Sequence, residues 1–477
     1  MKQFLFCMIS CMLLASSTKS QTINGTWGGR IDLGNRKLLF IMKLAQNGTH
    51  YTSTFDSPEQ NAFDIKGGET TLTRDSLVAK IPVLSGMYSG KWNQTDTITG
   101  ILQQGNYKTP LVLVRMNEKD VPQKPKAPVR PQTPKAPFYY HSEEVQYDNA
   151  DRSVHFGATL TLPTNKTDFP VVILISGSGP QDRDGNMFGH SSYWVLADYL
   201  TRQGIGVLRV DDRGTGTTTV GPNPFGVTSE DFAKDVEAGI EYLLRRKEIN
   251  PKKIGLVGHS EGGMIAPMVA ARNNKVAFVV LLAGPGIPGN QIWNFQMRRN
   301  FVKTGLSAED AAKAGALVDA MNEPFKQSAD YATIKKQMQE TYSNWRATNS
   351  AEEESRLLNT VGDKAYLALL EQSKNGLVWL NYFMNYNPAN NLQQLKCPVL
   401  AVNGESDIQV AAKENLEGIR NALTKAKNKQ FTIRAFPNLN HLFQTCTSPS
   451  EPYNRIDETF STEAMLYISN WINQTSK

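Results

Sequence analysis

The sequence predicts an α/β fold, a doubly wound and mostly parallel sheet with a helical insertion, preceded by a small all-β domain. Three observations predict it. Beyond Tyr139, short apolar runs without polar alternation recur between stretches of helical periodicity, as expected of parallel strands covered on both faces. One of these runs, Ile254 to Val257, passes through Gly258-His259-Ser260-Glu261-Gly262 into a helix-forming segment, giving a strand–turn–helix unit. Before Arg115 the pattern is instead period-two alternation broken by turns such as Gln46-Asn47-Gly48, the signature of antiparallel hairpins.

From the N-terminus, Lys2 precedes an apolar run from Phe4 to Ala15, followed by small and polar residues to Ser20. Residues 1–20 therefore read as a secretory signal peptide, and the protein is expected to be exported, periplasmic or secreted. The apolar run is roughly a dozen residues against the ~20 that span a bilayer, so no integral membrane segment is expected in the mature chain. Cys7 and Cys11 fall in this leader, leaving Cys397 and Cys446 to pair or to stay free. Two cysteines exclude a disulfide-rich scaffold and a four-thiolate zinc site. The formal charge of +6 is spread along 477 residues rather than gathered in one block, which argues against a nucleic-acid partner.

Residues 21–117 form the expected all-β accessory domain, with strand-like runs at Leu38 to Leu44, Thr49 to Phe55, Tyr88 to Trp92, Asp96 to Gln103 and Leu111 to Arg115. Residues 118–138 carry Pro122, Pro125, Pro128, Pro131, Pro134 and Pro137, a spacing of three that matches the turn of polyproline II. At ~3.1 Å per residue this reads as a semi-rigid spacer.

Residues 139–477 make up the α/β domain. Its expected strands are Ala158 to Leu162, Val171 to Ile175, Gly206 to Val210, Ile254 to Val257, Phe278 to Ala283, Val399 to Val402 and Phe431 to Phe436. Thr228 and Asp231 open a helix in capping-box spacing, and Phe232, Val236, Ile240 and Leu243 continue it at helical period. Between residues 288 and 395 the strands stop and helix-forming sequence takes over. Such an insertion lies above the carboxyl ends of the strands as a lid.

The segment Gly258 to Gly262 is G-x-S-x-G in the context of a nucleophile elbow, so Ser260 is the candidate nucleophile. The general base follows the serine in this arrangement. Of six histidines, only His441 lies beyond the elbow, just after the run Phe431 to Phe436. The acid belongs between them and just past a strand, which selects Asp407, with Glu405 as runner-up; it orients the imidazole and stabilises the imidazolium. Oxyanion donors are expected from the backbone N–H of Glu261 and from the loop Ser176 to Asp184, with Ser178 as the assignment and Gly177 as the alternative. A dinucleotide-binding reading of Gly177-x-Gly179 fails because the third glycine is absent and Pro180 interrupts the helix. Arg213, in the turn Asp211 to Gly216, is expected to brace the oxyanion loop through Asp182 or Asp184.

Together the Ser176 to Asp184 loop, the Asp212 to Gly216 turn, the Ser260 elbow, the Gly404 to Asp407 loop and Asn440-His441 resemble the α/β-hydrolase superfamily, over about Ala158 to Trp471. The likeness is to its bacterial carboxylesterase and serine aminopeptidase-like group, in which an N-terminal β accessory domain sometimes occurs. The resemblance implies hydrolysis of a small-molecule carboxylic ester through an acyl-enzyme, with no cofactor and no metal. The loop departs from the His-Gly-Gly pattern of many lipases and esterases by reading Ser176-Gly177-Ser178-Gly179, which leaves the second donor open. Two further readings stand on the same residues. One is an aminopeptidase-like peptidase or thioesterase, the peptidase holding the substrate ammonium with an acidic lid residue. The other is a non-catalytic binding protein on a hydrolase scaffold. Trp293, Phe295, Trp345, Trp379, Tyr382 and Phe383 are candidates to wall an acyl pocket or to pack the lid.

Overall fold

The structure, a computed structural model, describes residues 22–32, 37–60, 62–82, 86–104, 107–123, 130–164, 167–359 and 362–477. The expected leader at 1–20 lies outside them. Contacts divide the chain into two compact units, separated in sequence between Ala127 and Pro128.

In the first unit the strands are β1 (Gly25–Asp32), β2 (Lys37–Asn47), β3 (His50–Ser57), β4 (Ala62–Lys66), β5 (Thr70–Thr73), β6 (Ser76–Ile81), β7 (Gly86–Trp92), β8 (Thr97–Gln104) and β9 (Tyr107–Arg115). They run in the order β2-β1-β9-β8-β7-β6-β5-β3, and β3 pairs back onto β2, so eight strands close a barrel with β4 added beside β3. Closure removes the free edges that an open sheet would expose. Trp27, Phe40, Met42, Phe55, Leu77, Tyr88 and Leu113 form its buried core. The Tyr88 hydroxyl is within 3.0 Å of the carbonyls of both Ile98 and Leu111, and the Trp27 N–H donates to the Ile23 carbonyl at 2.9 Å, which satisfies the polar tips among these side chains. The sequence reading passes over β1, whose Gly28 and Gly29 weaken a strand pattern. Gly29 is needed there because a side chain would strike the Val112 carbonyl of β9.

The second unit holds the strands β10 (Tyr140–Asp148), β11 (His155–Pro163), β12 (Val171–Ile175), β13 (Asn186–Met187), β14 (His190–Ser191), β15 (Gly206–Val210), β16 (Ile254–His259), β17 (Phe278–Leu282), β18 (Val399–Gly404) and β19 (Phe431–Phe436). Eight of them form one sheet in the order β10-β11-β15-β12-β16-β17-β18-β19. The first two pairings are antiparallel and every pairing from β15 through β19 is parallel. Five helices serve the sheet: α1 (Ser192–Arg202), α2 (Ser229–Leu244), α3 (Glu261–Arg272), α11 (Ala412–Lys425) and α12 (Thr462–Thr475). Ile173, Leu208, Leu256, Val279 and Ala401 face a core shared with α2, α3 and α11. Val172, Val207, Val257, Val280 and Leu400 face a second core shared with α1 and α12. Both sheet faces are dry, which is why these strands show no alternation. At the start of α2, the Asp231 carboxylate accepts the Thr228 N–H at 3.0 Å, the return half of the capping box.

Between β17 and β18 lie α4 (Gly289–Phe301), α5 (Ala308–Gln327), α6 (Tyr331–Arg346), α7 (Ala351–Leu357), α8 (Lys364–Ser373), α9 (Leu377–Asn385) and α10 (Ala389–Leu392). This insertion carries its own core around Leu317, Met321, Phe325 and Tyr366. Among the described residues, no helix is long and apolar enough to cross a membrane.

The expected spacer over 118–138 is corrected in its second half; residues 124–129 lie outside the described residues. Arg130 is buried, and its guanidinium donates to the carbonyls of Ile456 at 2.6 Å, Asn454 at 2.8 Å and Gly189 at 3.2 Å. Gln132 donates to the Phe460 carbonyl at 2.6 Å and accepts the Thr459 N–H at 2.6 Å. Side chains between the prolines therefore clip the segment to its own unit, which a pattern of prolines alone does not reveal. Arg130→Ala would strand several carbonyls, and a loss of about 2–4 kcal/mol in stability is expected. A melting temperature equal to that of the wild type would refute this role.

Candidate active site

The site follows from the order of the strands. From β12 the chain crosses through α1 to β15 on one side, whereas from β16 it crosses through α3 to β17 on the other. The carboxyl ends of β12 and β16 therefore border the crevice where the winding reverses, the place such sheets bind ligands. Their register ends on Ile175 opposite Gly258. The next residues on either side are Ser176-Gly177 and His259-Ser260.

Ser260 sits at φ +54°, ψ −117°, a left-handed backbone that costs a non-glycine residue energy and lifts its side chain clear of the strand and helix it joins. Its N–H is held by the Leu282 carbonyl at 2.9 Å. The flanking glycines are required by close approach. A side chain on Gly258 would overlap the Gly262 carbonyl, and one on Gly262 would overlap the Ile175 carbonyl.

Asp407 and His441 come together as expected. Asp407 is carried by the loop after β18, and His441 by the loop after β19. The His441 Nδ1 lies 2.7 Å from Asp407 Oδ2, and both side chains are almost fully buried. The other carboxylate oxygen accepts the N–H groups of Gln409 at 2.7 Å and Val410 at 2.9 Å. A carboxylate so held accepts the Nδ1 proton, which leaves His441 Nε2 as the basic atom. The two loops touch closely enough that a side chain on Gly404 would overlap the Leu439 carbonyl. Asn440 fixes the histidine turn by accepting the Leu442 and Gln444 N–H groups, each at 3.0 Å. Glu405, the runner-up, is exposed.

His259 joins the serine and histidine segments. Its Nε2 lies 2.9 Å from the His441 carbonyl, and the two rings are 4.8 Å apart. A carbonyl only accepts, so His259 Nε2 carries the proton and Nδ1 is free to accept from the Tyr193 hydroxyl at 3.5 Å. Burial, reinforced by nearby His441, drives the His259 pKa down to about 3, so this ring stays neutral. Tyr193 accepts the Gly177 N–H at 3.2 Å. It was not singled out from the sequence, because it reaches the site from α1 and belongs to no motif.

The Ser176 to Asp184 loop, expected to carry an oxyanion donor, is fixed by β15 and the loop after it. Asp212 accepts the Ser176 hydroxyl at 2.6 Å and the Gln181 N–H at 2.9 Å. Asp211 accepts the Arg183 N–H at 2.8 Å and its guanidinium at 2.6 Å. The expectation for Arg213 is corrected, since it turns to α2 and makes a two-pronged pair with Asp235, both bonds at 2.6 Å. Arg183 and Arg209 do the bracing instead, Arg183 on Asp211 and Arg209 on Asp184.

Behind this loop lies a mainly apolar cleft of about 420 Å³, lined by Gly177, Ser178, Ile173, Val210, Phe232, Val236 and Trp379, with Asp212 and Glu261 among its walls. Burial pushes Asp212 up to about 7 and raises Glu261 as well. The Glu261 carboxylate accepts the Ser229 hydroxyl at 2.6 Å and the Trp379 N–H at 2.7 Å. Among the described residues neither acid forms an ion pair. Of the six insertion aromatics singled out, Trp379 alone lines this cleft, while Trp293 and Trp345 pack in the insertion's core. Cys397 and Cys446 are free thiols.

The alpha/beta hydrolase fold family model matches residues 170–438, more than half of the chain. Esterase EstD of Thermotoga maritima is 32% identical over 139 residues, which is 29% of this chain and 32% of that protein. The acylamino-acid-releasing enzyme of Rattus norvegicus is 32% identical over 134 residues, 26% of this chain and 16% of that enzyme. The chain thus spans a third or less of the length of these two relatives. Among solved structures, alpha/beta hydrolase GrgF from Penicillium sp. sh18 is 15% identical with a TM-score of 0.44, covering 70% of this chain and 99% of that one.

Proposed function

The chain belongs to the alpha/beta hydrolase fold family, and from that premise we propose that it is a serine hydrolase that cleaves carboxylic esters through an acyl-enzyme. The observation that carries this reading is the buried Asp407–His441 hydrogen bond, formed beside a serine in a strained elbow. Ser260 Oγ attacks the ester carbonyl while its proton passes to His441 Nε2. The tetrahedral oxyanion is held by the Glu261 N–H and a donor from the Ser176 to Asp184 loop. Collapse expels the alcohol, protonated by His441, and water then releases the acid by the same route. The apolar cleft behind the loop suits an acyl group, with Trp379 from the insertion as one wall. The name of the Thermotoga relative supports ester substrates. The leader expected at 1–20 supports a periplasmic or secreted location.

A peptidase reading is favoured by one observation. Among the described residues, the buried Glu261 and the half-buried Asp212 have no cation beside them, and a substrate ammonium would supply one. They come from the β15 loop and α3, not from the lid, where the sequence leads one to expect the acidic residue.

Turnover of nitrophenyl esters across acyl lengths, set against amino-acid anilides, separates the two. The ester reading expects esters to be turned over far faster than anilides. Rapid anilide cleavage with negligible ester cleavage would overturn it.

A further inference from the structure

One polar side chain beside Ser260 has no finished set of bonds. Gln181 is buried, and its backbone is fixed at both polar groups by Asp212, its N–H donating at 2.9 Å and its carbonyl accepting at 3.0 Å. Its side chain is held by much less. Nε2 makes a single long contact to the Ser178 carbonyl at 3.4 Å, and Oε1 is buried without a partner. A buried amide oxygen without a partner calls for an explanation, and a catalytic role is one of them.

The position of that amide is specific. The point where a β-carbon of Gly177 would stand is 3.2 Å from Ser260 Cβ, 3.5 Å from Gln181 Nε2 and 3.5 Å from His259 Nδ1. The carboxamide nitrogen and the nucleophile thus border the same small space at the mouth of the oxyanion loop. The Gly177 N–H, the alternative to Ser178 as the loop donor expected from the sequence, is already committed to Tyr193 at 3.2 Å. A Gln181 Nε2 proton is free to replace it.

We propose that Gln181 is a catalytic residue whose side-chain N–H donates to the oxyanion formed at Ser260, alongside the Glu261 N–H. The donor is neutral and its backbone is locked, so only the carboxamide has to turn as charge develops on the carbonyl oxygen. No proton is transferred; the hydrogen bond strengthens as the tetrahedral intermediate forms and relaxes when it collapses. The inference rests on Ser260 being the nucleophile of an ester hydrolase.

The test is Gln181→Met, which keeps length and removes the donor, with Gln181→Glu as a second variant that keeps polarity and opposes an anion. Each is compared with wild type on a nitrophenyl ester, after melting curves confirm folding. Expected is a fall in kcat of ~10²–10³ with KM changed less than about threefold. The Ki of a trifluoromethyl ketone, which forms the oxyanion adduct, should rise by the same factor, while the Ki of the product acid should barely move. A rate within threefold of wild type in either folded variant overturns the proposal. So does a rate loss that the ketone affinity does not follow, because that pattern marks a residue that only shapes the loop. Absence of ester turnover in the wild type would instead remove the underlying reading, and the proposal with it.

Discussion

Ser260→Ala is expected to lower kcat for ester hydrolysis by about 10⁵–10⁶, with the protein still folded. That factor corresponds to about 7–8 kcal/mol of barrier, more than any other single change proposed for this chain. The fold should survive because alanine presents the same Cβ to the elbow, and the φ of +54° is set by Gly258, Gly262 and the Leu282 carbonyl rather than by the hydroxyl. The residual rate would come from the oxyanion donors and the cleft acting on water. Single-turnover kinetics and labelling by a fluorophosphonate measure the two parts separately. Retention of more than about a hundredth of the rate, or labelling of the alanine variant, would show that another group is the nucleophile.

Much of this site was legible in the sequence because its parts sit where the chain leaves a strand. The apolar runs mark the sheet, and Gly258 to Gly262 marks the sharp turn. His441 is then selected simply because no other histidine follows the elbow. Asp407 over Glu405 was harder, since the two lie two residues apart in one loop. The structure separates them by orientation, one toward His441 and the other into solvent.

What was not legible depends on contacts between distant segments. Tyr193 arrives from α1, and Gln181 matters through the space beside Gly177. Arg213 is expected on the oxyanion loop because its turn follows a strand at the same end of the sheet, yet it pairs with Asp235 of α2. Barrel closure in the first unit rests on β2 pairing with both β1 and β3, which alternation in single strands does not encode. The proline spacing predicts a semi-rigid spacer, but the residues between the prolines, Arg130 and Gln132, decide where its second half lies.

Asp407→Asn is expected to lower kcat/KM by about 10⁴, or about 5.5 kcal/mol. The reason lies in the second oxygen of this carboxylate. Oδ1 accepts two N–H groups, from Gln409 and Val410, so an asparagine must turn its carbonyl toward them. Its NH2 then faces His441 Nδ1, where the carboxylate now accepts a proton. A donor at that position forces the imidazole proton onto Nε2, the atom that takes the proton from Ser260 in the proposed mechanism. The shape of the site is kept while its base is silenced, so the melting temperature should change little. Glu405→Gln is the matched control; its side chain is exposed, and its rate should stay within twofold of wild type. Near-normal activity in Asp407→Asn, or a larger loss in Glu405→Gln, would move the acid two residues upstream and undo the argument from Oδ1.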